Sequence, residues 1–182
     1  DYTCASEHLF GLNNVNLSTL ADNYFNEEYN SASFSLVLSS LLSSYDNDTD
    51  DYRYLSWFQA GTGELVDNRY LTKYYESSST DSYYQNKMPL IKISEMYLIV
   101  SECDYRDTGN GLDALNELRL ARNANTYETQ PTDYYAELIR EYRREFIGEG
   151  QLFFLYKRLN RPSIIGSDAD AIGEKVYTFP LP

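Results

Sequence analysis

The sequence holds 182 residues, 42% hydrophobic and 24% charged, which is enough for one folded domain and too apolar for a disordered chain. Fifteen basic against 28 acidic side chains give a net charge of −13 and a pI near 4.4. That field repels phosphate backbones and anionic headgroups, excluding charge-driven binding to nucleic acid or a membrane surface.

Tyrosine is abundant, at 19 residues, so the partners implied are neutral polar molecules or another protein. Two cysteines, Cys4 and Cys103, fit no metal or redox spacing and cannot form a disulfide scaffold; Cys103 is expected as a buried free thiol on a helix face. No apolar run reaches the length of a transmembrane helix. The chain begins Asp1-Tyr2 with no initiator Met or signal peptide, which reads as a processed or trimmed chain with its natural N-terminal context upstream.

Residues 1–33 carry Leu9-Phe10 and Val15-Asn16-Leu17 between Asn and Ser, predicting a short strand followed by irregular loop. Leu36 to Leu42 is too short to assign as helix or strand. Tyr45 to Asp51 is an acidic turn. Its carboxylates at 46, 48 and 50 have calcium-loop spacing, but Asp51 stands where the loop needs glycine and Trp57 where it needs a bidentate Glu, so a solvated turn is the better reading. Residues 52–58 and the stretch around Tyr70 to Tyr75 have strand composition, separated by a hairpin or loop at Gly61-Thr62-Gly63. Glu76 to Gln85 reads as an exposed loop.

From Ser94, a candidate N-cap, Met96, Ile99, Val100 and Cys103 follow the i, i+3, i+4, i+7 stripe of an amphipathic helix. Gly109-Asn110-Gly111 breaks the chain, and Ala114, Leu115, Leu118 and Ala121 repeat the stripe to about Asn123. A connection that short makes the pair an antiparallel hairpin. A third helix is predicted from Thr132 to Ile147, burying Tyr135, Leu138, Ile139, Tyr142 and Phe146 and packing on the hairpin. Opposite charges stand at i+3 in Glu137/Arg140 and Glu141/Arg144. Gly148 and Gly150 end it, Leu152 to Leu159 forms a further short helical segment, and everything after Pro162 is tail.

No catalytic or cofactor motif emerges. His8 stands without a nucleophile partner, phosphate-loop and zinc-protease patterns are absent, and Glu141, Glu145 and Glu149 alternate with arginines as an ion-pair network rather than a glycosidase pair. The aromatics point to sugar binding, because a pyranose offers C–H groups to a ring face while its hydroxyls seek Asn, Asp or Gln. The candidate ligand-binding residues are Tyr54, Trp57, Tyr74, Tyr75, Tyr83 and Tyr84, with Tyr52, Asn68, Asp81 and Asn86 nearby in sequence. Trp57, in an apolar run, also reads as core.

Three blocks carry a resemblance. Residues 88–102, Met-Pro-Leu-Ile-Lys-Ile-Ser-Glu-Met-Tyr-Leu-Ile-Val-Ser-Glu, resemble the Pro-x-Ile-Arg-x-x-Glu-x-Tyr-Leu-Ile-x-x-Glu segment of SusD/RagB family proteins. Residues 114–122, Ala-Leu-Asn-Glu-Leu-Arg-Leu-Ala-Arg, are similar to that family's Leu-Asn-x-Val/Leu-Arg-x-x-Arg helix. Residues 137–146 with Glu149-Gly150 and Lys157-Arg158 resemble its Glu-Arg-x-x-Glu-Leu-x-x-Glu-Gly…Leu-Lys-Arg block. Asp51-x-Arg53, Lys73-Tyr74 and Phe179-Pro180 match weaker features. Where the family has an Arg and Asp three residues apart, this chain has Leu152 and Leu155, a joint replacement that need not cost stability.

The resemblance implies a mainly α, tetratricopeptide-related fold with long loops and a few short β-strands. It also implies a non-catalytic lipoprotein on the outer face of the Bacteroidetes outer membrane, without cofactor or metal, that captures glycans for a SusC-like TonB-dependent transporter. Residues 1–182 would be the C-terminal portion of such a protein: 1–87 loop-rich with short strands, 88–160 helical scaffold, 161–182 tail. The lipid anchor would lie upstream, and Cys4 is not its site. The rival reading is a helical protein–protein interaction module without a sugar ligand.

Overall fold

The computed structural model describes residues 4–26, 33–74, 86–164 and Tyr177. Helices dominate, with a few short strands, and the chain forms two compact units, Asp1–Tyr134 and Tyr135–Pro182.

The first unit contains two small sheets. Strand β1 (His8–Asn13) pairs antiparallel with β5 (Lys87–Lys92), the register slipping around Phe10 and running on through Leu12↔Met88. Strands β2 (Ser35–Val37), β3 (Phe58–Ala60) and β4 (Asn68–Leu71) form the second sheet in the order β2-β4-β3, also antiparallel. β3 and β4 make the hairpin expected at Gly61-Thr62-Gly63, joined through a short 3-10 turn at Gly63–Leu65.

Two assignments differ from the sequence reading and one open stretch is settled. Helix α1 (Leu17–Phe25) occupies part of the expected loop; Leu17, Leu20, Ala21 and Tyr24 do have helical spacing, but only Ala21 is buried. The ambiguous stretch at 36–42 divides between β2 and helix α2 (Leu38–Ser44). The expected strand at 52–58 is helix α3 (Tyr52–Trp57), with β3 starting only at Phe58. Asp51 decides this, because its side chain accepts the Arg53 N–H at 2.8 Å and caps the helix, overriding the strand preference of Tyr, Trp and Phe.

The acidic turn exists but is not fully solvated. Asp48 and Asp51 are buried, and the Asp48 carboxylate accepts the N–H groups of Asp50 (3.2 Å) and Asn125 (2.7 Å). Asp46 and Asn47 take left-handed backbone conformations, which these two residue types tolerate.

Helix α4 (Ile93–Thr108) ends at Gly109, whose φ of 79° lets its N–H reach the Tyr105 carbonyl at 2.9 Å. Three residues later α5 (Leu112–Ala121) begins, and the two pack as the expected hairpin. The face of α4 that turns inward is not the predicted one. Ser94, Leu98, Ser101 and Glu102 are buried, whereas Ile99, Val100 and Cys103 are exposed and Met96 is half-buried. Ser94 lies inside the helix instead of capping it.

Small side chains on this face let the helices approach closely, and at Ser101 the buried hydroxyl is satisfied. The Ser101 hydroxyl donates to the Gly111 carbonyl at 2.6 Å and pairs with the Tyr134 hydroxyl at 2.6 Å, while Tyr134 stacks on Tyr105 at 4.0 Å. Cys103 is therefore an exposed thiol, and neither cysteine is disulfide-bonded. On α5, Ala114, Leu115 and Leu118 are buried as predicted and Ala121 is exposed.

Helix α6 (Tyr134–Glu145) starts two residues later than expected, and all of it after Tyr134 belongs to the second unit. Leu138, Ile139, Tyr142 and Phe146 are buried as predicted; Tyr134 takes the burial expected of Tyr135. Both predicted pairs form, Arg140 with Glu137 at 2.9 Å and Arg144 with Glu141 at 2.9 Å, and Arg144 also reaches Glu137 at 3.1 Å. Helix α7 (Gln151–Arg158) is the short segment anticipated, with Leu155 buried where the family pattern has a charge. Tyr177 donates its hydroxyl to the Arg161 carbonyl at 2.7 Å and lies 6.1 Å from the Phe153 ring, so this part of the predicted tail packs back onto its unit.

Candidate functional site

The described aromatic candidates gather where α3 meets the β2-β4-β3 sheet. The Thr72 N–H donates to the Trp57 carbonyl at 2.7 Å, tying the end of β4 to the end of α3. This brings Lys73 onto Trp57, with Nζ 3.9 Å from the indole centroid and 5.8 Å from the Tyr74 ring. Lys73 is fully buried, and a desolvated cation over an indole is worth about 2 kcal/mol.

Trp57 and Tyr74 are 2% and 8% exposed. Both rings are packed inward in this arrangement, Trp57 in keeping with the core reading of its apolar run. Tyr54 differs: it is half-buried and packs edge-on to Tyr45 at 6.0 Å. Tyr52, one residue off the buried face of α3, is 56% exposed. Tyr75, Tyr83, Tyr84 and Asp81 lie outside the described residues. Asn68 is engaged within the sheet, donating to the Ser35 hydroxyl at 3.0 Å, and Asn86 supplies the carbonyl that accepts from Asn14 at 2.9 Å.

The resemblance blocks prove to be fasteners. On α5, Asn116 exchanges two hydrogen bonds with the Tyr127 backbone, both at 2.9 Å. Arg119 donates to the Asn125 carbonyl and lies 4.5 Å from the Tyr127 ring centroid. Arg122 grips Glu7 with both guanidinium nitrogens, at 2.9 and 2.6 Å. One helix thus holds the 124–127 segment and the N-terminal 3-10 turn Ala5–Glu7. Their spacing in sequence was visible, but their targets were not, because backbone carbonyls carry no sequence signature.

Glu141 and Glu145 are fully buried on a helix with Arg144, in keeping with a structural network. His8 is half-buried at the start of β1. Among the described residues no cluster of His, Cys, Asp or Glu is placed to hold a metal ion, and no helix is long and apolar enough to cross a membrane.

The SusD family's sequence profile matches residues 20–177, and the chain belongs to the SusD family. The fold is shared with a crystal structure of a SusD-like carbohydrate binding protein from Bacteroides vulgatus ATCC 8482, at a TM-score of 0.59 and 20% sequence identity over 85% of this chain. This chain spans 34% of that protein's chain. No curated protein sequence matches it.

Proposed function

We propose that the chain is the C-terminal portion of a cell-surface protein that binds oligosaccharides without catalysis and passes them to a SusC-like TonB-dependent outer-membrane transporter. Family membership over residues 20–177 is the observation that carries this reading. The likeness in fold to a SusD-like carbohydrate binding protein adds to it. The protein would be a lipoprotein of the outer membrane's extracellular face, its anchor upstream of residue 1.

Within the proposal, sugar contacts come from rings that are not fully buried. Tyr54 is such a ring among the described candidates, and Tyr75, Tyr83 and Tyr84 remain proposed on sequence grounds. The strongly acidic chain suits a neutral ligand, which neither gains nor loses from the field.

Affinity electrophoresis of the 182-residue chain through gels containing neutral plant or host polysaccharides tests the reading. Retardation by at least one glycan is expected, weakened about tenfold by Tyr83→Ala/Tyr84→Ala or by Tyr54→Ala, since one stacked ring contributes on the order of 1 kcal/mol. Retention unchanged by all three substitutions would remove these tyrosines from the site. Release of reducing ends from any of the polysaccharides would overturn the non-catalytic reading.

A further inference from the structure

The turn of the helix hairpin carries a reactive pair that sugar binding leaves unused. Asn110-Gly111 is the one Asn-Gly pair in the sequence. In such a pair the main-chain nitrogen of the second residue can attack the side-chain amide of the first, because glycine has no Cβ to block the approach. Asn110 is exposed, between the end of α4 and the start of α5, where water reaches it.

The hydrogen bonds around this pair act on the two reacting atoms in opposite senses. The Leu112 N–H donates to Asn110 Oδ1 at 3.1 Å, polarising the carbonyl under attack and facing the oxyanion that would develop there. The nucleophile is held back. The Gly111 N–H donates to Gln130 Oε1 at 3.0 Å, which opposes loss of its proton and fixes the plane of the peptide. That peptide is also tied at its flanks. The Gly111 carbonyl accepts from the Ser101 hydroxyl at 2.6 Å, and the Asn110 N–H donates to Thr108 Oγ1 at 3.2 Å. Gln130 Nε2 is buried with no hydrogen-bond partner among the described residues, so the side chain is held by its bond to Gly111.

We propose that Asn110 is a spontaneous modification site, deamidated through a cyclic imide, and that the Gln130 hydrogen bond to Gly111 is the latch that sets its rate. When the latch opens, solvent base takes the Gly111 N–H proton and the nitrogen bonds to Asn110 Cγ. The Cγ–Nδ2 bond breaks, Nδ2 takes up a proton and leaves as ammonia, and a succinimide remains. Water then adds to one of the two imide carbonyls and breaks that carbonyl's bond to nitrogen, leaving aspartate or isoaspartate at position 110. The inference is independent of the sugar reading and uses none of its residues.

The two products differ in fit. Aspartate keeps an acceptor for the Leu112 N–H at the start of α5, where negative charge is favourable. Isoaspartate threads the main chain through the former side chain and adds a methylene ahead of Gly111. That glycine has no slack, since a Cβ on it would stand 2.5 Å from the Ser101 carbonyl oxygen.

The 182-residue chain is incubated in native buffer and in guanidinium at the same pH and temperature, then cut with trypsin. The peptide 107–119 holds Asn110 and, as an internal reference, Asn116, whose side chain is bonded to the Tyr127 backbone. Fragment mass spectra locate the amide-to-acid change. Position 110 should convert before position 116, about tenfold faster in the unfolded chain than in the folded one, because folding imposes the latch and its flanking bonds. In native buffer Gln130→Ala should speed conversion about fivefold, the factor that one hydrogen bond represents. Gln130→Glu keeps an acceptor and should convert no faster than wild type. The isoaspartyl form, separated by ion exchange, should melt below the aspartyl form. Equal folded and unfolded rates, conversion at Asn116 first, or a Gln130→Ala rate no higher than wild type in a chain that circular dichroism shows folded would each overturn the proposal. Acceleration by Gln130→Glu equal to that by Gln130→Ala would overturn the latch as well. The comparison of folded with unfolded wild type needs no variant, so it holds even where a substitution disturbs folding.

Discussion

Asp51 and Arg53 sit two residues apart, and the geometry between them is unusually complete. One carboxylate oxygen accepts the Arg53 backbone N–H at 2.8 Å and its Nε at 3.0 Å, while the other accepts the terminal nitrogen at 2.7 Å. Both residues are almost wholly buried, at 2% and 1% exposure, and Arg53 lies 5.9 Å from the Tyr45 ring centroid. Stripping one partner from a buried pair strands a desolvated charge, at a cost of about 3–5 kcal/mol. Arg53→Met is therefore expected to lower unfolding free energy by about 3 kcal/mol in urea denaturation. Asp51→Asn should do the same and weaken the α3 cap as well. The double variant should cost clearly less than the sum, because neither charge is then left alone. A cost below about 1 kcal/mol for either single change would mean that water reaches the pair.

At the level of elements, the helix hairpin turns on Gly111. A Cβ there would stand 2.5 Å from the Ser101 carbonyl oxygen and 2.8 Å from the Tyr134 ring, and the first neighbour is backbone that cannot swing aside. Gly109 has open space around its own missing Cβ but a φ of 79°. Gly111→Ala should thus cost about 3 kcal/mol through overpacking, against about 1 kcal/mol for Gly109→Ala through backbone strain. Thermal melts of the two variants check the order; the reverse order would place the tight contact elsewhere.

The same hairpin shows what was legible. Its existence, its break and the apolar face of α5 followed from periodicity and glycine placement. The inward face of α4 did not, because the Ser101 hydroxyl is satisfied by Gly111 and Tyr134, which lie outside the helix and leave no mark on its periodicity. At α3, aromatic composition outweighed a single capping aspartate on paper, and the cap prevailed in the fold. Composition does not show which aromatic candidates pack inward: Trp57 and Tyr74 are buried with Lys73 over the indole, whereas Tyr54, one helical turn from Trp57, is half-buried.

Over the whole molecule the charges divide by depth. Among the described residues the buried cations Arg53, Lys73, Lys92, Arg119, Arg122 and Arg144 are matched in number by the buried anions Asp48, Asp51, Glu102, Glu137, Glu141 and Glu145. The net −13 therefore resides in the remaining, less buried or undescribed residues. Interior pairs are little affected by ionic strength, while surface charges feel a screening length that falls to about 10 Å at 0.1 M salt. Repulsion among the surface carboxylates opposes the compact state, so screening it should stabilise the fold. Raising sodium chloride from 20 mM to 300 mM is expected to lift the melting temperature by about 3 °C, corresponding to about 1 kcal/mol for a chain of this length. Glu64→Gln/Asp67→Asn/Glu128→Gln should raise the melting temperature at low salt and shrink the salt response, because it removes part of the repulsion. A melting temperature that falls with salt would show that exposed ion pairs outweigh repulsion. Over the same range, capture of a neutral glycan should hold steady, because an uncharged ligand does not feel the screened field.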